Sequence, residues 1–498
     1  MRPCGRFPRR NGMGMLALVL LAGCSLAPRY ERPAAPVAPR IEPAPVPAAA
    51  AARAGGHAAD HAVSQAAAGL DWNRFFSDPT LQRLLHRAFA DNRDLRVAMQ
   101  RIEAARAQYG IRRADRLPTI SASLSASRMH LPAGVSPGGP ALDATEYGAT
   151  LFLSTWEIDF WGRVRSLQTA ALESFLATVD ARRSVEVSLV AQIANTYLIE
   201  RELDERIDDA RRAFLNREEA YRIMTRRHAV GAISRLDLTQ AEILRDQARA
   251  ELAVLAQQQA RARNAMTLLV GAPLPTASAQ QAVPLSAVEK SFAIGPPPGL
   301  PSSVLLDRPD VQAAEHRLKA AHANIGAARA AFFPRITLIG ALGRASSELD
   351  GLFGSDTQAW LFVPTVSIPL FDAGRNRANR SLAEALRNGA VADYERTIQT
   401  AFREVADALA DRRWLSRQQA IEEAIVATQR ERVRLAQLRY RSGAASFLEV
   451  LEAERAWFAA EQALVRTRRE RLASMVSLYA ALGGGPGDAG ALTEKDHP

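Results

Sequence analysis

Arg101-Ile-Glu-Ala-Ala-Arg-Ala-Gln-Tyr-Gly110, running on to Arg113 and Leu117-Pro118-Thr-Ile120, returns later as Arg317-Leu-Lys-Ala-Ala-His-Ala-Asn-Ile-Gly326, with Arg329 and Phe333-Pro334-Arg-Ile336. The matched positions stand 216 apart (118 to 334). A second pair repeats at an offset of 212 (231 to 443): Gly231-Ala-Ile-Ser-Arg-Leu-Asp-Leu-Thr-Gln-Ala-Glu242 and Gly443-Ala-Ala-Ser-Phe-Leu-Glu-Val-Leu-Glu-Ala-Glu454. Two separated matches at nearly one offset identify a tandem duplication. The small difference falls between Ile120 and Gly231, where the first copy carries the longer Pro/Gly-rich loop Pro132 to Pro140.

Working outward, both halves read in the same order. A helical stretch (about 79–116, then about 308–332) stops at Pro118 or Pro334, and two extended segments follow. A Gly-Arg pair, Gly162-Arg163 or Gly374-Arg375, then opens a very long helical stretch. Neither Gly nor Pro occurs from Arg163 to Val230 or from Ala232 to Val270. In the second copy Gly389 alone interrupts Arg375 to Ser442, and Ala444 to Leu482 has none. The chain holds 30 Gly and 27 Pro in 498 residues, so such runs predict unbroken helices. At ~1.5 Å per residue the first arm is about 100 Å long. Seven-residue spacing of Leu451, Phe458, Val465, Leu472 and Tyr479, and of Ala241, Ala248, Leu255, Ala262 and Leu269, predicts supercoiled seams.

Four segments read as strands: Thr119–Ser127, Tyr147–Phe160, Arg335–Gly343 and Trp360–Phe371. In the first, Ile120, Ala122, Leu124 and Ala126 alternate with hydroxyl side chains, whereas Tyr147–Phe160 shows no clean alternation. Each has the length of a tilted membrane strand, about 10 residues. Trp156, Phe160, Trp161, Trp360 and Phe371 sit near strand ends, as in an aromatic belt, and each serves equally as core. Four strands cannot close a barrel, for which about eight is the smallest useful number. A duct therefore requires several copies. The fold class expected is an internally duplicated α+β membrane protein, with four strands per chain joining a barrel beneath long coiled-coil helices.

The ends set the compartment. Arg2, Arg6, Arg9 and Arg10 precede the apolar run Met13–Ala22, which is too short to span a membrane and suits a cleaved leader. The leader closes in Leu21-Ala22-Gly23-Cys24, which resembles the lipobox of bacterial lipoproteins and makes Cys24 the lipid-bearing N-terminus. The alternative is an ordinary leader with an accidental cysteine. Ser25 is not the Asp that retains such lipoproteins at the inner membrane. With Cys4 removed and Cys24 acylated, no disulfide is expected. The organisation expected is a leader 1–23, a Pro/Ala-rich linker 24–70, a first repeat 71–300, a second repeat 301–484 and a tail 485–498. His57 and His61 fall in the linker, where a pair without further ligands makes no metal site. Of the net charge of +10, the leader carries four arginines, and the rest alternate with acids along helices. That pattern argues against nucleic acid.

Duplicated halves, each with two strands and a long helical hairpin, resemble the TolC-type outer-membrane factor family, specifically its lipoprotein branch of OprM-like (NodT-like) outlet proteins of resistance-nodulation-division pumps. The resemblance covers about Asp71 to Gly483, and its most specific motifs are the paired tips. These are Arg227-His228-Ala-Val-Gly231-Ala-Ile-Ser234-Arg-Leu-Asp-Leu and Arg439-Tyr440-Arg-Ser-Gly443-Ala-Ala-Ser446-Phe-Leu-Glu-Val. Gly231 and Gly443 permit a left-handed turn, and Ser234 and Ser446 cap the next helix. The resemblance implies a homotrimer with twelve strands, tips that meet a periplasmic adaptor (membrane fusion) protein, and an inner-membrane efflux transporter beyond it. It also implies a periplasmic gate at Arg439, Leu448, Glu452 and Arg455, with Asp237 nearby in register. Glu452 departs from the family's usual Asp, and each charged residue also reads as plain surface charge.

The function expected is a passive exit duct for drugs or other small molecules. No phosphate loop, nucleophile elbow or paired histidines on a helix face suggest catalysis, and no cofactor is expected beyond the lipid on Cys24. His316 and His322 are six residues apart and do not share a helical face. An outlet for protein secretion or metal-ion export is the alternative within transport. A structural coiled-coil lipoprotein without a pore is the alternative from another class, and it leaves the strands unexplained.

Overall fold

Proline and asparagine set the first boundaries in the chain. The computed structural model describes residues 26–41, 71–134, 139–274, 283–292 and 300–484. After β1 (Arg40–Ile41) come α1 (Trp72–Phe75), α2 (Pro79–Asp91) and α3 (Arg93–Ala114). The helix expected over about 79–116 is thus two, because Asn92 leaves helical geometry and caps α3, its side chain accepting from Leu95 N at 3.0 Å. Strands β2 (Ile120–Leu131) and β3 (Leu142–Glu157) lead to the long helices α4 (Arg163–Ala229) and α5 (Arg235–Val270). Then follow α6 (Leu285–Glu289), β4 (Leu300–Pro301), a 3-10 turn (Ser302–Asp307) and α7 (Pro309–Ala330). The second repeat closes with β5 (Arg335–Ser346), β6 (Gln358–Ser367), α8 (Arg375–Arg441) and α9 (Phe447–Ala481). Helices α4 and α8 are both 67 residues long, as the duplication demands.

The chain divides into two compact units. One takes residues 26–34, 101–179 and 313–394 of the described chain and contains the sheet. Its four strands run in the order β2-β3-β5-β6, every neighbour antiparallel. Cross-strand partners share a face. Register therefore places Ile120, Leu124, Leu151, Leu342, Trp360, Phe362 and Val366 on one side. All seven are exposed. The other side carries Ser121, Ser123, Ser125 and Ser127 on β2, with Gly148, Thr150, Ala341 and Gly343 beside them, and is apolar at Phe152 on β3, Ile339 on β5 and Leu361 and Val363 on β6. A register shift between Leu153 and Trp156 explains why β3 resists reading: the bulge changes the phase of its alternation.

The other unit takes residues 35–41, 71–100, 180–312 and 395–484 of the described chain. Its core joins Phe75, Phe76, Leu81, Leu85, Ile193, Tyr197, Met266, Val476 and Tyr479. Of the two expected seams, Ala241, Ala248, Leu255 and Ala262 in α5 and Leu451, Val465, Leu472 and Tyr479 in α9 are buried, whereas Leu269 and Phe458 are half-buried. The alanines leave room for backbones to approach, and the larger residues fill what remains.

Candidate functional site

The two hairpin tips are built alike. Gly231 (φ 77°) donates to His228 O at 2.9 Å and Ala232 N to Arg227 O at 2.8 Å. Gly443 (φ 74°) donates to Tyr440 O at 3.0 Å and Ala444 N to Arg439 O at 2.9 Å. These bonds satisfy the last carbonyls of α4 and α8, and only glycine takes that left-handed turn without strain. The caps that follow diverge. Ser234 forms a complete capping box with Asp237: its Oγ accepts from Asp237 N at 3.1 Å, and Asp237 accepts from Ser234 N at 3.2 Å. Ser446 occupies the same position without a side-chain cap bond. Its box partner by the repeat, Glu449, accepts instead from Arg439 Nη1 at 2.8 Å.

Within the chain Arg439 holds Glu449, which lies in the first turn of α9 directly across the tip. Glu452 stands one turn further on. Leu448, Glu452 and Arg455 are all exposed, and neither Glu452 nor Arg455 enters an ion pair among the described residues. Asp237 belongs to its capping box. The two tips also touch: Arg227 donates to Tyr440 Oη at 2.6 Å. Phe447 packs against both Val433/Ala436/Val450/Ala453 and Met224/Leu238/Ala241. Sequence reading missed Glu449, Tyr440 and Phe447, although the offset of 212 from Asp237 points to Glu449 (237 to 449).

The belt aromatics separate into two kinds. Trp156 Nε1 donates to Arg116 O at 3.1 Å and Trp161 Nε1 to Pro334 O at 2.8 Å, so both are fastened to backbone at the sheet's base. Trp360 and Phe371 stay exposed. One correction concerns the linker. Residues 26–34 lie along α7, where Arg32 grips Glu315 through Nε (3.0 Å) and Nη2 (2.9 Å) and Tyr30 donates to the same carboxylate at 3.1 Å. Ala27 fits against Gly326, where an added Cβ would meet it at 2.8 Å. Burial alone would raise the Glu315 carboxyl, but Arg32 and Lys319 hold it below the ordinary range. In the other unit Ile41 is buried and β1 pairs with β4. A Pro-rich segment with no periodicity carries no sign of these partners. Cys24, His57, His61, most of the linker, and the tail 485–498 lie outside the described residues. Among the described residues no group of three metal-ligating side chains occurs, and no helix is long and apolar enough to cross a membrane.

Each half is therefore a strand pair joined to a long hairpin, and the family model described as outer membrane efflux protein matches the chain twice, over residues 84–272 and 300–484. The chain belongs to the outer membrane efflux protein family. Outer membrane protein OprJ of Pseudomonas aeruginosa is 43% identical over 481 residues, covering 96% of this chain and 97% of that protein. The toluene efflux pump outer membrane protein TtgI of Pseudomonas putida is 41% identical over 476 residues, covering 95% and 98%. The open state of the MtrE outer membrane channel of Neisseria gonorrhoeae superposes with a TM-score of 0.80 at 36% identity, covering 93% of this chain and 98% of that one. As a member of this family the chain is an outer-membrane efflux channel protein, and the double match coincides with its two repeats.

Proposed function

We propose that three copies of this chain form the exit duct of a tripartite pump, passing drugs or similar small molecules passively from periplasm to exterior. The observation that carries the reading is the sheet. One face is apolar and exposed, the other largely small and hydroxyl-bearing, and both outer strands lack a further partner among the described residues. Apolar surface on that scale calls for lipid, and strands cross lipid only where no edge is left open. Three copies supply twelve strands, and the alternating directions keep each seam antiparallel. The tips, with Gly231, Ser234, Gly443 and Ser446, are the surface offered to an adaptor protein, which links the duct to an inner-membrane transporter. Leu448, Glu452 and Arg455 form the gate, each repeated about the symmetry axis; Arg439 braces it through Glu449. Cys24 carries the lipid anchor. No catalytic step, cofactor, metal or nucleic acid enters this reading. Purified protein is expected to migrate as a heat-resistant trimer and to conduct ions across a planar bilayer. A trimer without conductance, in bilayers where a porin conducts and also when Leu448→Ala and Glu452→Ala remove the gate, leaves only the pore-less coiled-coil lipoprotein.

A further inference from the structure

The two repeats place different charges at one matched pair of helices. In the first, Arg106 on α3 lies over the ring of Phe175 on α4, 5.7 Å from its centroid, and bonds Glu103 at 3.1 Å. The offsets of 216 and 212 carry these positions to His322, Arg387 and Lys319 (106 to 322, 175 to 387, 103 to 319). The ring and the carboxylate that hold a cation in the first repeat are thus both replaced by cations in the second. Two turns nearer the sheet, Arg113 and Gln168 become Arg329 and Arg380. His322 and Arg329 stand seven apart on α7 (322 to 329), and Arg380 and Arg387 on α8 (380 to 387), so each pair lies along one helix face. The helices are joined where Asn376 Nδ2 donates to Ala331 O at 3.2 Å, and burial, with Arg387 and Arg329 close by, pushes His322 below its ordinary range. The acids at hand are already engaged: Glu384 accepts from Arg380, and Glu315 from Arg32, Tyr30 and Lys319. Among the described residues Arg329 and Arg387 enter no ion pair, and Arg387 Nε is buried without an acceptor. Cations gathered around a buried, unanswered donor call for an anion.

We propose that Arg329 and Arg387 hold the phosphate of an anionic phospholipid in the periplasmic leaflet of the outer membrane. Position selects a lipid over a soluble anion. Arg329 is in the last turn of α7 and Arg335 opens β5, about 9 Å further along at helical rise. Ile336 and Val366 then begin the apolar side of the sheet. The segment 26–34 crosses the same helix: Ala27 fits against Gly326, and Tyr30 meets His322 edge-on with centroids 5.7 Å apart. Cys24 precedes Ala27 by a chain reach of about 10 Å, so its acyl chains enter the leaflet beside this groove. They bring no phosphate, because a thioether-linked diacylglycerol is uncharged. A phosphodiester answers both guanidiniums through charge-assisted bonds. The ammonium of phosphatidylethanolamine would meet Lys319 and Arg380 as a like charge, so an anionic headgroup such as phosphatidylglycerol is favoured. The inference rests on the membrane-spanning sheet and the lipid on Cys24 proposed above, and goes beyond them by naming a bound lipid.

Native mass spectrometry of the full-length protein, released from detergent, tests this. Delipidated protein titrated with phosphatidylglycerol is expected to take up one lipid per chain, about tenfold more tightly than phosphatidylethanolamine, and inorganic phosphate in large excess is expected not to displace it. Arg329→Gln combined with Arg387→Gln is expected to lose that preference. Arg387→Phe supplies the ring that the first repeat carries at this position, so it keeps the helix pair packed should the glutamines disturb it, and it is expected to lose the preference as well. A preference that survives in both variants, equal binding of the two lipids, or displacement by phosphate overturns the site, and heat-resistant, conducting trimers in the same preparation leave the membrane reading standing. An unsubstituted protein that neither forms trimers nor conducts overturns that reading and the site with it.

Discussion

Gly231 and Gly443 show how a single backbone angle decides a feature of this molecule. Each closes a 67-residue helix with φ near 75°, and a Cβ at either meets nothing within 4 Å. Substitution is therefore costly through backbone strain alone, about 1–2 kcal/mol. Gly231→Val or Gly443→Val is expected to leave the trimer intact while lowering drug resistance and adaptor pull-down; equal loss of trimer would mark these glycines as folding residues. Glu315 is the second informative residue. Its folded-state carboxyl titrates below the ordinary value, so the clasp on Arg32 is at full strength above the unfolded pKa of about 4.3 and is lost as pH falls through the lower, folded one. Hydrogen exchange of residues 26–34 is expected to quicken below about pH 4 and, in Glu315→Gln, already at neutral pH. Unchanged exchange in the variant would show that Ala27 against Gly326, not the clasp, holds the segment.

At the scale of elements, the hairpins draw their stability from seams and their proposed switching from the tip. Leu255 is fully buried among Leu203, Ala210 and Ala262, so Leu255→Ala is expected to cost roughly 2–5 kcal/mol, read as a fall in the thermal midpoint. The Arg439–Glu449 pair behaves differently. Both side chains are more than a third exposed, and such a pair contributes under about 1 kcal/mol. Arg439→Ala is thus expected to leave folding unchanged and act only on opening. Leu448→Ala combined with Glu452→Ala is expected to raise single-channel conductance or antibiotic leakage severalfold in normal trimers. Unchanged conductance in that double variant would place the constriction elsewhere along the duct.

For the whole molecule, attachment and spanning are separable. In the reading proposed above, attachment falls to Cys24 and spanning to β2, β3, β5 and β6. Cys24→Ser with a cleavable leader is expected to abolish palmitate labelling while strands still insert, since acyl chains anchor and only closed strands cross. Labelling that persists in the variant would refute the lipobox reading.

The duplication, the order of the four long strands and the hairpins, and the lengths of the long hairpin helices were legible in sequence because each depends on local signals. Offsets of 216 and 212 recur without any tertiary information, and runs free of Gly and Pro leave helix as the cheapest backbone state. Alternation in β2 revealed its apolar face and heptads in α5 and α9 their buried seams for the same reason: period follows from backbone geometry. Tertiary structure decided what joins residues far apart in the chain. The bulge in β3 hid its faces, and the partners of Tyr30 and Arg32 lie nearly 300 positions away, with no periodicity to announce them. Arg439 shows the limit most plainly. Sequence placed it at the tip, but whether it meets Glu449 or Glu452 depends on one helical turn and on which side chain stands across the loop. Side-chain reach in three dimensions settles that, and no local pattern encodes it.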